Sequence, residues 1–189
     1  MLSAGWIVVA LALVAFVVVR ARLRRAKIAA LSPPARAMGM LEHAFDCMHH
    51  MGTFVVLQIV RIDGALGEPT LRRALDAVQS KHPLLRVHVT GPGGIFEAEG
   101  TERIPLRVVA RDSADRWRAE GLEELHRPIA YGTKPLLRVV WVGDEHGGEL
   151  LLVSNHAILD GVAAVVVVRD VLDLCARIDA GEPVCIAQP

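Results

Sequence analysis

Aromatic residues, excess charge and cysteines are all scarce in this sequence of 189 residues. Phe, Trp and Tyr make up 4% of the chain, so a core must be built from Val, Leu, Ile and Ala, and a hydrophobic content of 52% is ample for one. The 21 basic and 21 acidic residues balance, and no basic stripe carries interleaved aromatic residues, so no nucleic-acid partner is expected. The three cysteines, Cys47, Cys175 and Cys185, lack metal-ligand spacing and are interpreted as free thiols in a reducing compartment.

Charged side chains are also missing from residues 1–19, and "RARLRRAK" then brings five basic residues in eight. At about 1.5 Å per residue, a helix of this length reaches roughly 28 Å, enough to cross a hydrocarbon core. A secretory signal would carry its positive charge before the apolar run. We therefore predict a single-pass membrane anchor with its basic flank at residues 1–27 and the following domain on the cytoplasmic side. A hydrophobic helix docked on a partner, or a start codon placed too far upstream, is the alternative.

Proline and glycine in "LSPPARAMG" separate this segment from the rest, so we place a linker at residues 28–35 and a domain at residues 36–189. β-Branched runs predict strands at residues 54–64, 84–90, 95–100 and 104–110, and a hairpin at residues 134–156. Apolar periodicity predicts helices at residues 68–83, 113–128 and 159–181. The order β-α-β-β-β-α-β-β-α indicates an α/β fold, a two-layer sandwich of a mixed sheet with helices.

The stretch "SNHAILDG", residues 154–161, contains the candidate catalytic residue and its neighbours. It follows the last strand and precedes the last helix, so its side chains can project into a cleft and still be held rigidly. His156 could take a proton from a hydroxyl or amine, Asp160 could brace the turn, and Gly161 would let a substrate approach the backbone. The alternative is that His156 is only a hydrogen-bonded structural residue at the end of a strand.

The same stretch resembles the His-His-x-x-x-Asp-Gly signature of the chloramphenicol-acetyltransferase-like superfamily, which includes condensation domains, wax ester synthases and polyketide-associated acyltransferases. "LRRALDAVQSKHPLLRVHV" is similar to the first helix and next strand of that family, and "RPIAYGTKPLLRVVWVGDEHGGELLLVSNHAILDG" to the run leading into its signature. The resemblance covers about residues 40–178 and only the N-terminal lobe of the two-lobed members.

The resemblance implies a role for each matching residue. His156 would be the catalytic residue, acting as general base, and Asp160, Gly161, Arg86 and Asn155 would support the site structurally. Arg86 matches an arginine that pairs with the signature aspartate in condensation domains. Asn155 stands where the first histidine is usual, and its amide can donate and accept hydrogen bonds but cannot titrate.

The resemblance also implies acyl transfer of the HxxxD type, from an acyl-CoA or acyl-carrier thioester to a hydroxyl or amine, with no bound cofactor. No metal is expected, since His49 and His50 have no further ligands at fitting spacing. The predicted anchor favours a lipophilic acyl group or acceptor and a role in lipid metabolism. Because one lobe is short for this chemistry, a second lobe or a homo-oligomer is expected as partner. The alternative is a non-catalytic half-domain that acts as a membrane-anchored interaction module.

Overall fold

The computed structural model describes residues 12–23, 35–52, 54–90 and 94–184. Its helices are α1 (12–23), α2 (Met40–His50), α3 (Glu68–Lys81), α4 (Arg116–His126) and α5 (Gly161–Asp179). Its strands are β1 (Arg36–Ala37), β2 (Val55–Asp63), β3 (Ile95–Phe96), β4 (Leu106–Ala110), β5 (Leu137–Gly143) and β6 (Gly147–Asn155).

Four strands form a mixed sheet in the order β2-β6-β5-β4. β6 pairs antiparallel with β2 and β5, and β4 runs parallel to β5. The predicted hairpin is confirmed as β5–β6. Its turn requires glycine, because Gly147 has a φ of +143° and a Cβ at Gly148 would clash with the carbonyl oxygen of Val142. The register sets Asn155 opposite Val55, which brings the end of β6 to the start of β2.

Helices cover both faces of this sheet, as expected for a central strand that is buried along its whole length. Along β5, Val139 and Trp141 join the main core with α3 and α5, whereas Val140 and Val142 face the opposite way and share a second cluster with Trp117 of α4. The predicted α/β class and mixed sheet are confirmed. The two-layer arrangement is wrong, because α4 adds a layer on the second face.

The periodic helices agree with the sequence prediction. The stripe Leu71, Ala74, Leu75 and Val78 of α3 is fully buried. α5 begins at Gly161, directly after Asp160 and two residues after the predicted start. Its apolar run could have formed a strand, but the length favoured a helix, and its buried residues pack into the main core.

Two segments differ from the prediction. Residues 84–90 form no strand: a 3₁₀ turn spans Pro83–Arg86, and His88 alone bridges to Glu97 through backbone hydrogen bonds of 2.9 and 3.0 Å. The apolar residues there face the core without making a ladder. Helix α2 was not predicted, and its two buried residues are polar, Asp46 and His49, so no apolar stripe indicated it.

Helix α1 lies within the predicted anchor. It exposes several large apolar side chains: Leu13, Val14, Phe16, Val17, Val18, Val19 and Leu23. No helix among the residues described is both long and apolar enough to cross a membrane. Residues 1–11 and 24–34, which hold the rest of the predicted anchor and most of the predicted linker, lie outside the described residues.

Candidate active site

The turn between β6 and α5 presents His156. Asn155 ends β6, and its backbone carbonyl accepts a hydrogen bond from the amide of Ile158 at 3.1 Å. Its side-chain Oδ1 accepts a second bond from the amide of Ala157 at 2.8 Å. Asp160 then caps α5 by accepting from the amide of Ala163 at 2.7 Å. The residues on both sides of His156 are therefore fixed by hydrogen bonds within the turn.

The imidazole of His156 is half-buried against two phenyl rings. Its centroid lies 4.4 Å from that of Phe45 and 5.2 Å from that of Phe54. Nδ1 is buried and has no hydrogen-bond partner. Within the described part of the chain, Nε2 is neither buried nor hydrogen-bonded. The ring thus has an apolar wall on one side and one accessible nitrogen.

A buried polar cluster lies beneath this turn. Asn155 is fully buried, and its Nδ2 donates to Oδ1 of Asp46 at 3.3 Å. The other carboxylate oxygen of Asp46 accepts from the hydroxyl of Tyr131 at 2.9 Å. Asp46 is only 1% exposed, and burial raises the pKa of its carboxyl, an effect that His50 and the bond from Asn155 reduce.

Helix α2 brings the ring and the carboxylate to the turn together. Phe45 contacts His156, and Asp46, the next residue, contacts Asn155. One turn further on, Nε2 of His49 lies 3.0 Å from the carbonyl oxygen and 3.1 Å from the backbone nitrogen of Ile129. These contacts tie α2 both to the end of β6 and to the segment that carries Tyr131.

The sequence did not single out Phe45, Phe54, Asp46 or Tyr131. Asp46 precedes Asn155 by 109 residues, so no local spacing links them. The one available signal was a single carboxylate in "HAFDCMHH", between apolar and histidine residues, and it does not point to any partner.

The residues predicted to support the site make different contacts in the structure. Asp160 has a structural contact, the α5 cap, but it is exposed, and no ion pair joins it to Arg86 within 4.0 Å in the described structure. Arg86 is half-buried, with its Nε enclosed and unbonded. Gly161 faces open space, so its lack of a side chain is not required by packing. The expected pairing of Arg86 with Asp160 is therefore not present, because the Asp160 carboxylate turns to the helix instead.

The other histidines considered in the sequence have structural contacts. His49 binds the backbone of Ile129, and Nε2 of His82 lies 2.7 Å from Oδ2 of Asp170. Across the ranges that the structure covers, no group of three or more His, Cys, Asp or Glu side chains is placed to hold a metal ion.

Comparison with known proteins shows which solved folds this chain resembles. No family model matches the chain. Chondramide synthase cmdD of Chondromyces crocatus is 29% identical over 133 residues, which cover 62% of this chain and 3% of that protein.

Among solved structures, the X-domain from teicoplanin biosynthesis superposes with a TM-score of 0.71 at 17% identity over 83% of this chain and 36% of that one. The starter condensation domain of rhizomide synthetase RzmA gives 0.67 at 15% identity over 81% and 40%. SgcC5 from Streptomyces globisporus gives 0.55 at 27% identity over 78% and 37%.

The chain therefore shares the fold of part of these condensation-type structures, and the fold implied by the resemblance in the sequence is confirmed. The chain spans about two-fifths of the length of these solved relatives.

Proposed function

We propose that this chain is one lobe of an acyltransferase of the condensation type. It would transfer an acyl group from an acyl-CoA or acyl-carrier thioester to a hydroxyl or amine. The observation that carries the proposal is His156, which stands on a hydrogen-bonded strand-to-helix turn with Nε2 accessible and Nδ1 enclosed. The fold supports it, because neighbours include condensation domains of rhizomide synthetase and of the calcium-dependent antibiotic synthetase.

The proposed chemistry needs one proton carrier. Nε2 of His156 takes the proton from the acceptor hydroxyl or amine as that atom attacks the thioester carbonyl carbon. Collapse of the tetrahedral intermediate breaks the carbon–sulfur bond, and the proton passes to the leaving thiolate. Such a base contributes about 10²–10⁴-fold, and the remaining acceleration comes from positioning of the two substrates.

A second wall completes this site in the proposal. The solved condensation-type structures are about two and a half times as long as the region that superposes. Next to the turn, α5 exposes Val162 by 75% and Val165 by 57%. An apolar surface beside a thioester site is suited to cover by another lobe or by a second copy of the chain, which would exclude water.

We propose membrane attachment through residues 1–27. The support is the absence of charged side chains from residues 1–19, the exposed apolar side chains of α1, and the arginines that follow. The full chain should stay with membranes through a high-salt wash, because hydrophobic insertion resists salt and basic residues alone do not. A chain that begins at Ser32 should be released. Release of the full chain by salt would contradict the anchor.

A non-catalytic interaction module is the second candidate. Two observations favour it: Nδ1 of His156 has no acceptor that would steady a positively charged ring, and Asn155 replaces the first histidine of the signature. Among the fold neighbours, the X-domain from teicoplanin biosynthesis has been solved in complex with OxyB.

The test is acyl transfer by the full chain, solubilised from its native membranes and assayed across size-exclusion fractions with a panel of acyl-CoA and acyl-carrier donors. We expect activity in an assembled form, and a loss of about 100-fold or more on His156→Ala. His146→Ala, at a side chain that is 84% exposed in the β5–β6 turn, is the matched control and should retain activity. Full activity in His156→Ala would show that His156 is not the general base. Inactivity of every fraction would favour the module.

A further inference from the structure

His156 lacks the partner that usually orients a histidine base. Such a base ordinarily has its second ring nitrogen hydrogen-bonded to a group that fixes its tautomer and direction. Here Nδ1 is buried without a partner, and the signature carboxylate of Asp160 is engaged by the amide of Ala163. The direction of the ring must therefore be set by its packing and by the backbone of the turn.

Asn155 holds that backbone. The Ala157 amide can only donate, so Oδ1 of Asn155 has to face it, at 2.8 Å. The NH₂ end of the same side chain then points the opposite way, into the interior, where it needs an acceptor. Asp46 supplies that acceptor, with its Oδ1 at 3.3 Å.

Asp46 is itself held from a third segment. Tyr131 donates its hydroxyl to Oδ2 at 2.9 Å, and the ring of Tyr131 packs against that of His50, with centroids 4.1 Å apart. The neighbouring Phe45 presses on the imidazole of His156. One helix, α2, thus fixes both the amide beneath the turn and the wall beside the ring.

We propose that Asp46 is a positioning residue for His156, acting through the side chain of Asn155 and held in place by Tyr131. In this chain the carboxylate on α2 and the amide of Asn155 together keep the turn in one conformation, so the imidazole keeps one direction without a bond to Nδ1. The inference rests on the proposed function insofar as His156 is the base.

The experiment compares Asp46→Ala with Asp46→Asn in the full chain in detergent micelles. Alanine removes the acceptor, whereas asparagine keeps one oxygen for Asn155. Hydrogen exchange of the Ala157 amide, measured by NMR relative to core amides of β6, should be about fivefold faster in Asp46→Ala, as for a typical lost hydrogen bond, and close to wild type in Asp46→Asn. Gln79→Ala is the matched control, because Gln79 is a buried amide that bonds the backbone of Leu85, Glu102 and Ile104 elsewhere in the fold.

The kinetic measurements distinguish a positioning role of Asp46 from a role in stability alone. With any donor that the transfer assay identifies, Asp46→Ala should lower kcat about tenfold with KM unchanged, and Asp46→Asn should restore most of it. In a His156→Ala background, Asp46→Ala should have no further effect, because the residue acts through His156. Should Asp46→Ala fail to fold, Tyr131→Phe replaces it, since only the hydroxyl is lost.

Each outcome decides the inference. Wild-type exchange of Ala157 in Asp46→Ala, or the same loss of kcat with and without His156, would overturn it. If no form of the protein transfers an acyl group, the proposed function fails, and the exchange of Ala157 still decides whether Asp46 holds the turn.

Discussion

Two buried carboxylates show how differently the surroundings of the His156 turn and of α4 are built. Asp46, beneath the His156 turn, accepts hydrogen bonds from the neutral groups of Asn155 and Tyr131, and Nε2 of His50 lies 3.9 Å from its Oδ2. Burial raises the pKa of the Asp46 carboxyl. Glu124, on α4 over the second face, is equally buried. Burial alone would raise its pKa, but hydrogen bonds from Arg138 and Arg107 keep the pKa below its usual value.

The two regions differ in how their buried polar and charged groups are satisfied. Around α4, charged groups compensate one another: Arg107 also reaches Glu120 at 2.6 Å, and Arg116 reaches the other oxygen of Glu120 at 2.6 Å. Around the turn no arginine or lysine pairs with Asp46 in the described residues, and the polar groups hold one another by directional bonds. Compensated charge fixes α4 to the sheet, whereas in our proposal the hydrogen-bonded cluster around Asp46 fixes the direction of His156.

The largest effect is expected from removing Arg138, which is 11% exposed and bonds the Glu124 carboxylate and the backbone carbonyls of Glu124 and Arg127. Arg138→Ala should lower the free energy of unfolding by about 3 kcal/mol, because it leaves a buried charge that Arg107 only partly compensates. Chemical denaturation of the full chain in detergent measures it. Arg118→Ala, at an ion pair whose side chains are 66% and 76% exposed, should change stability by less than about 1 kcal/mol. If Arg138→Ala and Arg118→Ala lowered the free energy of unfolding by the same amount, the ion pairs around α4 would not form a buried network.

The pH dependence of stability should have opposite signs at the two carboxylates. Folding raises the pKa of Asp46, so its contribution is present at low pH and is lost as pH rises through the raised value. Folding lowers the pKa of Glu124, so its contribution is present above the ordinary glutamate range and is lost as pH falls through the lowered value. Unfolding free energies against pH for the wild type, Asp46→Asn and Glu124→Gln provide the measurement. The wild-type advantage over Asp46→Asn should shrink with rising pH, and that over Glu124→Gln with falling pH. Parallel curves for all three proteins would contradict the contrast.

The smallest effect is expected at Asp160. Its replacement by alanine removes the α5 cap and should cost about 1 kcal/mol. Because the carboxylate does not pair with Arg86, the double-mutant cycle of Asp160→Ala with Arg86→Ala should give a coupling energy within about 0.5 kcal/mol of zero. A coupling of several kcal/mol would mean that the two side chains do form the buried pair implied by the family resemblance.

Much of the fold was predictable because its signals are local. The apolar runs and glycine-containing turn of β5–β6, the 3.6-residue stripe of α3 and the length of the apolar run in α5 are all local features of the sequence. The signature also placed His156 on the turn between strand and helix. The strand predicted at residues 84–90 failed because its apolar residues face the core without a partner along a ladder, which composition alone cannot distinguish.

By itself, the sequence determined the α/β class, the order of most elements and the position of His156, since backbone propensity and hydrophobic period depend on neighbouring residues. The tertiary structure alone decided that α4 covers a second face, that Asp160 caps α5 and does not pair with Arg86 in the described residues, and that Asp46 lies beneath Asn155. Those contacts join segments as much as 109 residues apart. They depend on how the helices pack on the sheet and on which buried polar groups find hydrogen-bond partners. The spacing of residues along the chain predicts neither the packing nor the partners.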